Sequence, residues 1–269
     1  MSSKAVAVVT GASRGIGEAT ALAFAKAGHH VTIVARTGDA LQKLAKRIEA
    51  IGSEVLICTG DLTDLDFARS AIDQTVKRWG RIDVLVNNAA WREIASMRKI
   101  SVESWEKTIR ICLTTPAFMS RWAAETMEMQ KRGVIFNISS IMSQQVAGSS
   151  PSYIVCKGAL DSLTYELASL YGPSGIRVIA INPGAIDTEM SRDVAPDMED
   201  AKRDLERHSK EMIMLGRWGQ PGEIAALMVA LAGDAGSYVT AARIVVDGGW
   251  SHEHFPLSLK RQQWPGEFQ

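Results

Sequence analysis

The sequence predicts an α/β fold: a doubly wound parallel sheet with helices on both faces. Three observations carry that expectation. Short apolar runs alternate with amphipathic stretches along the 269 residues. The runs are Val/Ile-rich almost throughout, as strands buried on both faces must be. No linker, repeat or low-complexity tract interrupts them before residue 250.

Each element follows from local pattern. Ala5–Val9 reads as the first strand, and Glu18–Ala27 as a helix stopped by Gly28. Val31–Ala35 is the second strand. In Asp39–Ile51, Leu41, Leu44, Ala45 and Ile48 fall on one helical face. Val55–Cys58 is the third strand, and Asp64–Trp79 a helix marked by Phe67, Ala71, Ile72 and Val76. Ile82–Val86 and Val134–Ile138 are strands separated by a helix within Val102–Met129. Tyr153–Tyr171 is a helix, Val178–Ile181 a strand, Pro221–Leu231 a helix and Ile244–Val246 a last strand. Right-handed crossovers favour the doubly wound order, whose ligands sit beyond the carboxyl ends of the strands.

Composition narrows the function. Thirty basic and thirty acidic side chains cancel, which argues against a nucleic-acid protein held by phosphate neutralisation. The longest clean apolar run, Ile224 to Ala232, is too short for a membrane span. The start lacks the pattern of a signal peptide. Cys58, Cys112 and Cys156 are odd in number and without metal spacing, so a reducing cytoplasm and no metal site are expected.

Thr10-Gly11-Ala12-Ser13-Arg14-Gly15-Ile16-Gly17 joins the first strand to the first helix. Its glycines allow a tight turn and close approach of backbone to ligand. The helix start offers free N–H groups and a positive dipole end to a pyrophosphate. Placement between first strand and first helix makes this a nucleotide site. Ala35 and Arg36 end the second strand, where an acidic residue would bind the ribose 2′-OH of NAD. Arg36 instead suits a 2′-phosphate, with help from Ser13 and Arg14. NADP(H) is therefore expected over NAD.

Tyr153 and Lys157 are four residues apart at a helix start and share a face. A neighbouring ammonium favours the phenolate form of a tyrosine, so the pair suits proton exchange with a carbonyl oxygen while a hydride reaches its carbon. Asn137-Ile138-Ser139-Ser140 ends a buried strand, and Ser140 can hydrogen-bond the same oxygen.

Taken together, the chain resembles the short-chain dehydrogenase/reductase family in its single-domain, Rossmann-like form, over about residues 5–250. The motifs run in order: TGASRGIG at 10–17, Asp61, Asn87-Asn88-Ala89-Ala90, Ser140, Tyr153 with Lys157, Asn182-Pro183-Gly184 with Thr188, and Val246-Asp247-Gly248-Gly249. The resemblance implies that Gly11, Gly15 and Gly17 shape the cofactor turn, with Ile16 behind the nicotinamide. Asp61 and Leu62 meet the adenine, and Asn88 and Ala89 buttress the sheet and ribose. Ser140 polarises the substrate oxygen, Tyr153 is acid or base, and Lys157 activates it and holds the nicotinamide ribose. Pro183, Gly184, Ile186 and Thr188 line the nicotinamide pocket, under a lid of roughly Met190–Leu215. A homo-dimer or homo-tetramer is implied, built through Val102–Met129 and Tyr153–Tyr171. The substrate is a small carbonyl or alcohol. A 3-oxoacyl thioester or a sugar or polyol is an alternative, and a nucleotide-binding regulator or scaffold is one of a different class.

Four positions depart from the family pattern. Ala90 stands where glycine is usual. Cys112, in Arg110-Ile111-Cys112-Leu113, takes the place of an asparagine that kinks its helix and offers a carbonyl to a relay water. Ser143 replaces a glycine, and Cys156 a serine or alanine. Cys112 is thus a candidate catalytic position, read as inert packing or, more sharply, as a reactive thiol.

Asp197–Glu211 is dense in charge and reads as a solvated helix with Glu199/Arg203 and Glu206/Lys210 pairs, flanked by Met190, Met198, Met212 and Met214. Arg92, after the NNAA turn, is read as a surface charge, with recognition of a substrate carboxylate as the alternative. His252 and His254 make no metal site. The domain is 1–250; residues 251–269 form an extension with Phe255, Trp264 and Phe268 and no helical period. A free tail is the default expectation there, and aromatic docking the alternative.

Overall fold

The computed structural model describes residues 4–192 and 199–268. Seven parallel strands form one sheet in the order β3-β2-β1-β4-β5-β6-β7. They are β1 Val6–Thr10, β2 His30–Ala35, β3 Val55–Thr59, β4 Val84–Asn87, β5 Gly133–Ile138, β6 Ile176–Pro183 and β7 Ala242–Val246. The helices are α1 Gly15–Lys26, α2 Gly38–Ala50, α3 Leu65–Trp79, α4 Val102–Ile109, α5 Thr115–Gln130, α6 Pro151–Tyr171, α7 Glu199–Met212, α8 Pro221–Ala232 and α9 Leu257–Gln263. No described helix is long and apolar enough to cross a membrane.

Alternate strand residues feed two cores, because successive side chains leave a strand on opposite faces. Ala7, Val9, Val84, Val86, Phe136 and Ile179 pack on one side with α1, α2 and α8. Val8, Leu85, Ile135 and Val178 pack on the other with α3, α5 and α6. The expected α2 face (Leu41, Leu44, Ala45, Ile48) is buried. Phe24 and Phe136 are wholly buried, each worth roughly 1.5–3 kcal/mol of transfer free energy.

Where expected and observed boundaries differ, a local interaction decides. α1 starts at Gly15 rather than Glu18, so the last glycines of the turn belong to its first helical turn. Strand pairing of β4 starts at Val84, because both backbone groups of Ile82 are taken by the Gln130 side chain, at 3.1 and 2.7 Å. The segment expected as one helix is two, α4 and α5, joined by a wider π-helical turn at Arg110–Thr114.

A buried polar ladder fixes the register at the centre of the sheet. Asn87 Nδ2 donates to Asn137 Oδ1 (2.9 Å) and Ser120 Oγ (3.0 Å), and Asn137 Nδ2 donates to Thr164 Oγ1 (3.0 Å). This ties β4 and β5 to α5 and α6. Buried polar groups need such partners, so a slipped register would strand all of them. Asn87 pairs with Asn137, Ile138 with Ile181 and Pro183 with Val246. The carboxyl ends of the central strands therefore open onto one edge.

The C-terminal extension is folded back rather than free. The seven-residue α9, entered from Pro256, is too short to announce itself by periodicity. Ser258 N donates to Glu211 Oε2 of α7 at 2.8 Å. Lys260 pairs with Glu253, and Ser251 N donates to Asp247 Oδ2 at 2.7 Å. Docking is mainly polar: Phe255 and Trp264 stay half exposed, and Trp264 meets Phe268 instead, ring centroids 6.2 Å apart. On α7, Lys210 and Glu206 lie 2.8 Å apart as expected; Met198 and the Glu199 side chain lie outside the described residues. Deleting residues 251–269 is expected to free α7 from one side, lowering Tm by roughly 2–4 °C and raising KM severalfold. Thermal denaturation and steady-state kinetics of the truncated chain check this; unchanged values would mean the tail holds nothing in place.

Candidate active site

The glycine turn is built by the backbone and locked by the NNAA segment. Gly11 and Gly15 have φ of +65° and +58°, in the left-handed region that glycine adopts without strain. A Cβ at Gly11 would lie 2.8 Å from Ala89 Cα, and one at Gly17 would lie 2.3 Å from Gly11 O. Asn88 Nδ2 donates to Thr10 O (2.9 Å) and Gly11 O (3.2 Å), while Thr10 Oγ1 accepts from the N–H groups of Asn88 (2.9 Å) and Ala89 (3.0 Å). Strand β1, the turn and the end of β4 thus form one rigid floor.

Above this floor lies a cavity of about 560 Å³. Its wall includes Gly11, Ser13, Arg14, Gly15, Ile16, Arg36, Asp61, Leu62, Asn88, Ala89, Tyr153, Lys157, Pro183, Gly184, Ile186 and Thr188. Gly17 lies buried outside that wall. With Ser140 from the end of β5, the cavity gathers residues from six strand ends. Arg36 is exposed at the end of β2. Asp61 accepts from Thr63 N at 2.9 Å. That bond holds its carboxyl below the usual range, helped by Arg36 and Lys107. Arg14 is engaged with the Glu189 carboxylate in this structure, both side chains being exposed.

Ser140, at the end of β5, accepts from Met142 N at 3.1 Å. Its carbonyl accepts from Asn182 Nδ2 at 2.9 Å, and the same amide donates to Ser143 Oγ at 3.2 Å. The hydroxyl at 143, where the family has glycine, thus helps to hold the strand end. Tyr153 and Lys157 stand one turn apart on α6, both buried. Lys157 Nζ donates to Ile138 O at 2.6 Å and lies 5.2 Å from the Tyr153 ring centroid. Ser139 Oγ donates to Lys157 O at 3.0 Å. The lysine is fixed by strand β5 and, among the described residues, not by a carboxylate.

The structure does not bring Cys112 to either cavity wall. It is fully buried in the π-helical turn. Its thiol donates to Trp91 O (3.3 Å) and accepts from Trp91 N (3.5 Å). Burial pushes the thiol up against the pull of Lys157, and burial also raises Cys156 to about 12 and Cys58 to about 11. None has the thiolate character of a reactive cysteine. The π-helical turn is present without the asparagine, and the Cys112 thiol is bonded to the backbone of Trp91, the residue after the NNAA turn.

A second cavity, about 600 Å³, adjoins the first. Ser140, Tyr153, Gly184, Met190 and Ser191 line both. Ile141, Met142, Val146, Trp218 and Trp250 make most of the remaining wall apolar. Trp218 is pinned to α7 by a 2.6 Å bond from Nε1 to Ser209 Oγ. Arg92, expected as a surface charge, is half-buried in this wall. Sequence reasoning also missed Trp218, Trp250 and Ile141. No short-range signal marks them, since they meet only when the ends of β5 and β7 and the segment before α8 converge.

Known proteins are similar to this chain over most of its length. A family model described as enoyl-(acyl carrier protein) reductase matches residues 11–251. The cis-4-hydroxycyclohexanecarboxylate dehydrogenase of Sinomonas cyclohexanicum is 34% identical over 247 residues, 91% of this chain and 96% of that one. The 3-oxoacyl-[acyl-carrier-protein] reductase of Thermotoga maritima is 32% identical over 244 residues, again 91% and 96%. Among solved structures, the NADPH-dependent reductase YwfH, involved in bacilysin biosynthesis, superposes with a TM-score of 0.88 at 26% identity, covering 94% of this chain and all of that one. The family match spans nearly the whole chain and the sheet has the fold of these neighbours, so the protein belongs to the short-chain dehydrogenase/reductase family of oxidoreductases.

Proposed function

We propose that this oxidoreductase is an NADP(H)-dependent reductase of a ketone or aldehyde, running in reverse as an alcohol dehydrogenase. The observation that carries the reading is that Ser140 and Tyr153 line both cavities at once. Two ligands, one in each, would meet at their hydroxyls. The first cavity fits a dinucleotide. Its floor is bare backbone where a Cβ at Gly11 or Gly17 would collide with neighbouring atoms, leaving helix N–H groups free for a pyrophosphate. Arg36 would hold a 2′-phosphate at one end, and Pro183, Gly184, Ile186 and Thr188 would surround a nicotinamide at the other. When bound, the dinucleotide supplies the hydride that reduces the carbonyl carbon, or accepts it in the reverse direction.

The residues of the chain do the rest. Tyr153 gives its hydroxyl proton to the carbonyl oxygen as that oxygen gains electrons, and regains one from solvent. Ser140 donates a hydrogen bond to the same oxygen. Lys157, clamped to Ile138 O, keeps a positive charge beside the tyrosine without wandering into the cleft. Apolar walls in the second cavity favour a mostly apolar carbonyl compound over a sugar or polyol. Burial of intact Ser140, Tyr153 and Lys157 at one wall speaks for catalysis and against a mere regulator or scaffold. Val102, Phe118, Met129 and Leu170 present exposed apolar surface on α4, α5 and α6, which supports the homo-oligomer implied by the family.

The cofactor reading is tested by kcat/KM with NADPH and NADH. A charge-assisted Arg36–phosphate contact is worth about 1.5–3 kcal/mol, so NADPH is expected to win by roughly tenfold to a hundredfold. In Arg36→Ala most of that margin should vanish. A wild-type preference for NADH would overturn the assignment.

A further inference from the structure

We propose that Arg92 is the receptor for a carboxylate on the substrate, so that the protein acts on oxo acids and the matching hydroxy acids. The proposal rests on the oxidoreductase reading above and names the substrate class of the same site. Arg92 is the only charged side chain among the described residues that line the second cavity. Its Nη2 donates to Met190 O at 2.7 Å. Its Nε is buried without a hydrogen-bond partner. Among the described residues no carboxylate is paired with it.

A guanidinium carries five N–H donors in a planar fork that matches a carboxylate. Holding a half-buried guanidinium against an apolar cavity with its Nε unpaired and no carboxylate partner among the described residues is costly, and an anionic ligand on its remaining Nη N–H groups offsets that cost. The placement is also apt for chemistry. Arg92 Cζ lies 5.8 Å from the centroid of the Tyr153 ring, so an acid group on Arg92 and a carbonyl at the Tyr153 hydroxyl belong to one small molecule. The bond to Met190 O holds the side chain across the cavity from Trp91-Arg92-Glu93 to the base of the segment leading to α7, a span of 98 residues in sequence. A planar bidentate anion is favoured over a lone point charge by the fork itself.

The test compares paired ketones of equal shape: levulinate beside levulinamide, and cyclohexanone carboxylate beside its carboxamide. The wild type is expected to favour the carboxylate of each pair by about tenfold to a hundredfold in kcat/KM, with the gain in KM. Arg92→Gln should collapse the ratio towards one, and Arg92→Lys should keep part of it. Equal rates for acid and amide, or a preference that survives in Arg92→Gln, would overturn the proposal. Tryptophan fluorescence gives a second readout independent of turnover, because Trp218 and Trp250 line the cavity. Titration of the dinucleotide-loaded protein with levulinate and levulinamide should show tighter binding of the acid, lost in Arg92→Gln. If no ketone is turned over, the reductase reading fails while this titration still decides on Arg92: saturable, Arg92-dependent binding of the acid supports the proposal, and its absence ends it.

Discussion

Tyr153→Phe should lower kcat by about a hundredfold to ten-thousandfold, the range a positioned proton donor contributes. The substitution removes one hydroxyl and leaves the ring. Tyr153 is 7% exposed and packs with Ile111, Cys112 and Cys156, and phenylalanine keeps those contacts. The cations at 5.2 Å (Lys157) and 5.8 Å (Arg92) still face a ring. Tm and the Kd for NADPH are therefore expected to stay close to wild type. The loss should fall on kcat, because the missing proton matters only as charge develops on the substrate oxygen. Calorimetry and a fluorescence titration with NADPH separate this result from misfolding. Turnover within threefold of wild type would remove Tyr153 from the chemistry.

The second large effect is expected at Gly17, which lies buried beneath the cofactor cavity. A Cβ there would sit 2.3 Å from Gly11 O and 2.5 Å from Asn88 Nδ2. Both atoms belong to the floor: Asn88 Nδ2 donates to the carbonyls of Thr10 and Gly11. Neither can yield without opening the turn, since one is backbone and the other is held by two bonds. Overpacking of this kind costs about 1–3 kcal/mol, which for a domain of this size lowers Tm by roughly 2–12 °C. The displaced turn should also weaken NADPH binding by about tenfold or more, as the N–H groups lose their aim. Gly222→Ala is the matched control. No atom lies within 4 Å of a Cβ at Gly222, and it occupies a helical position where alanine is favoured. A Gly17→Ala protein with wild-type Tm and NADPH affinity would mean that the turn is not the cradle.

Much of the candidate site was legible because its logic is local. The glycine turn needs only a strand, a tight turn and a helix in succession. Tyr153 and Lys157 needed only the four-residue spacing of a helical face, and α6 supplied it. Cys112 was the harder case. Its place in the motif order pointed to a catalytic position, while the structure shows its side chain buried and bonded to the Trp91 backbone. Sequence order places a residue on an element, but the packing of that element decides which way it faces. α9 escaped notice because seven residues are too few to show a period.

By itself the sequence determined the class of the sheet, parallel and doubly wound, and the residue types that stand at its strand ends. Those follow from side-chain alternation, helix spacing and turn sterics, which act over a few residues. The tertiary structure decided which of those ends share a wall. It turned Arg92 from a surface charge into part of the second cavity, docked the C-terminal extension on α7, and joined two cavities at Ser140 and Tyr153. Each of these unites residues tens of positions apart. The reason is physical: a local pattern fixes what a segment can be, whereas burial and electrostatic partnership exist only once distant segments have closed on one another.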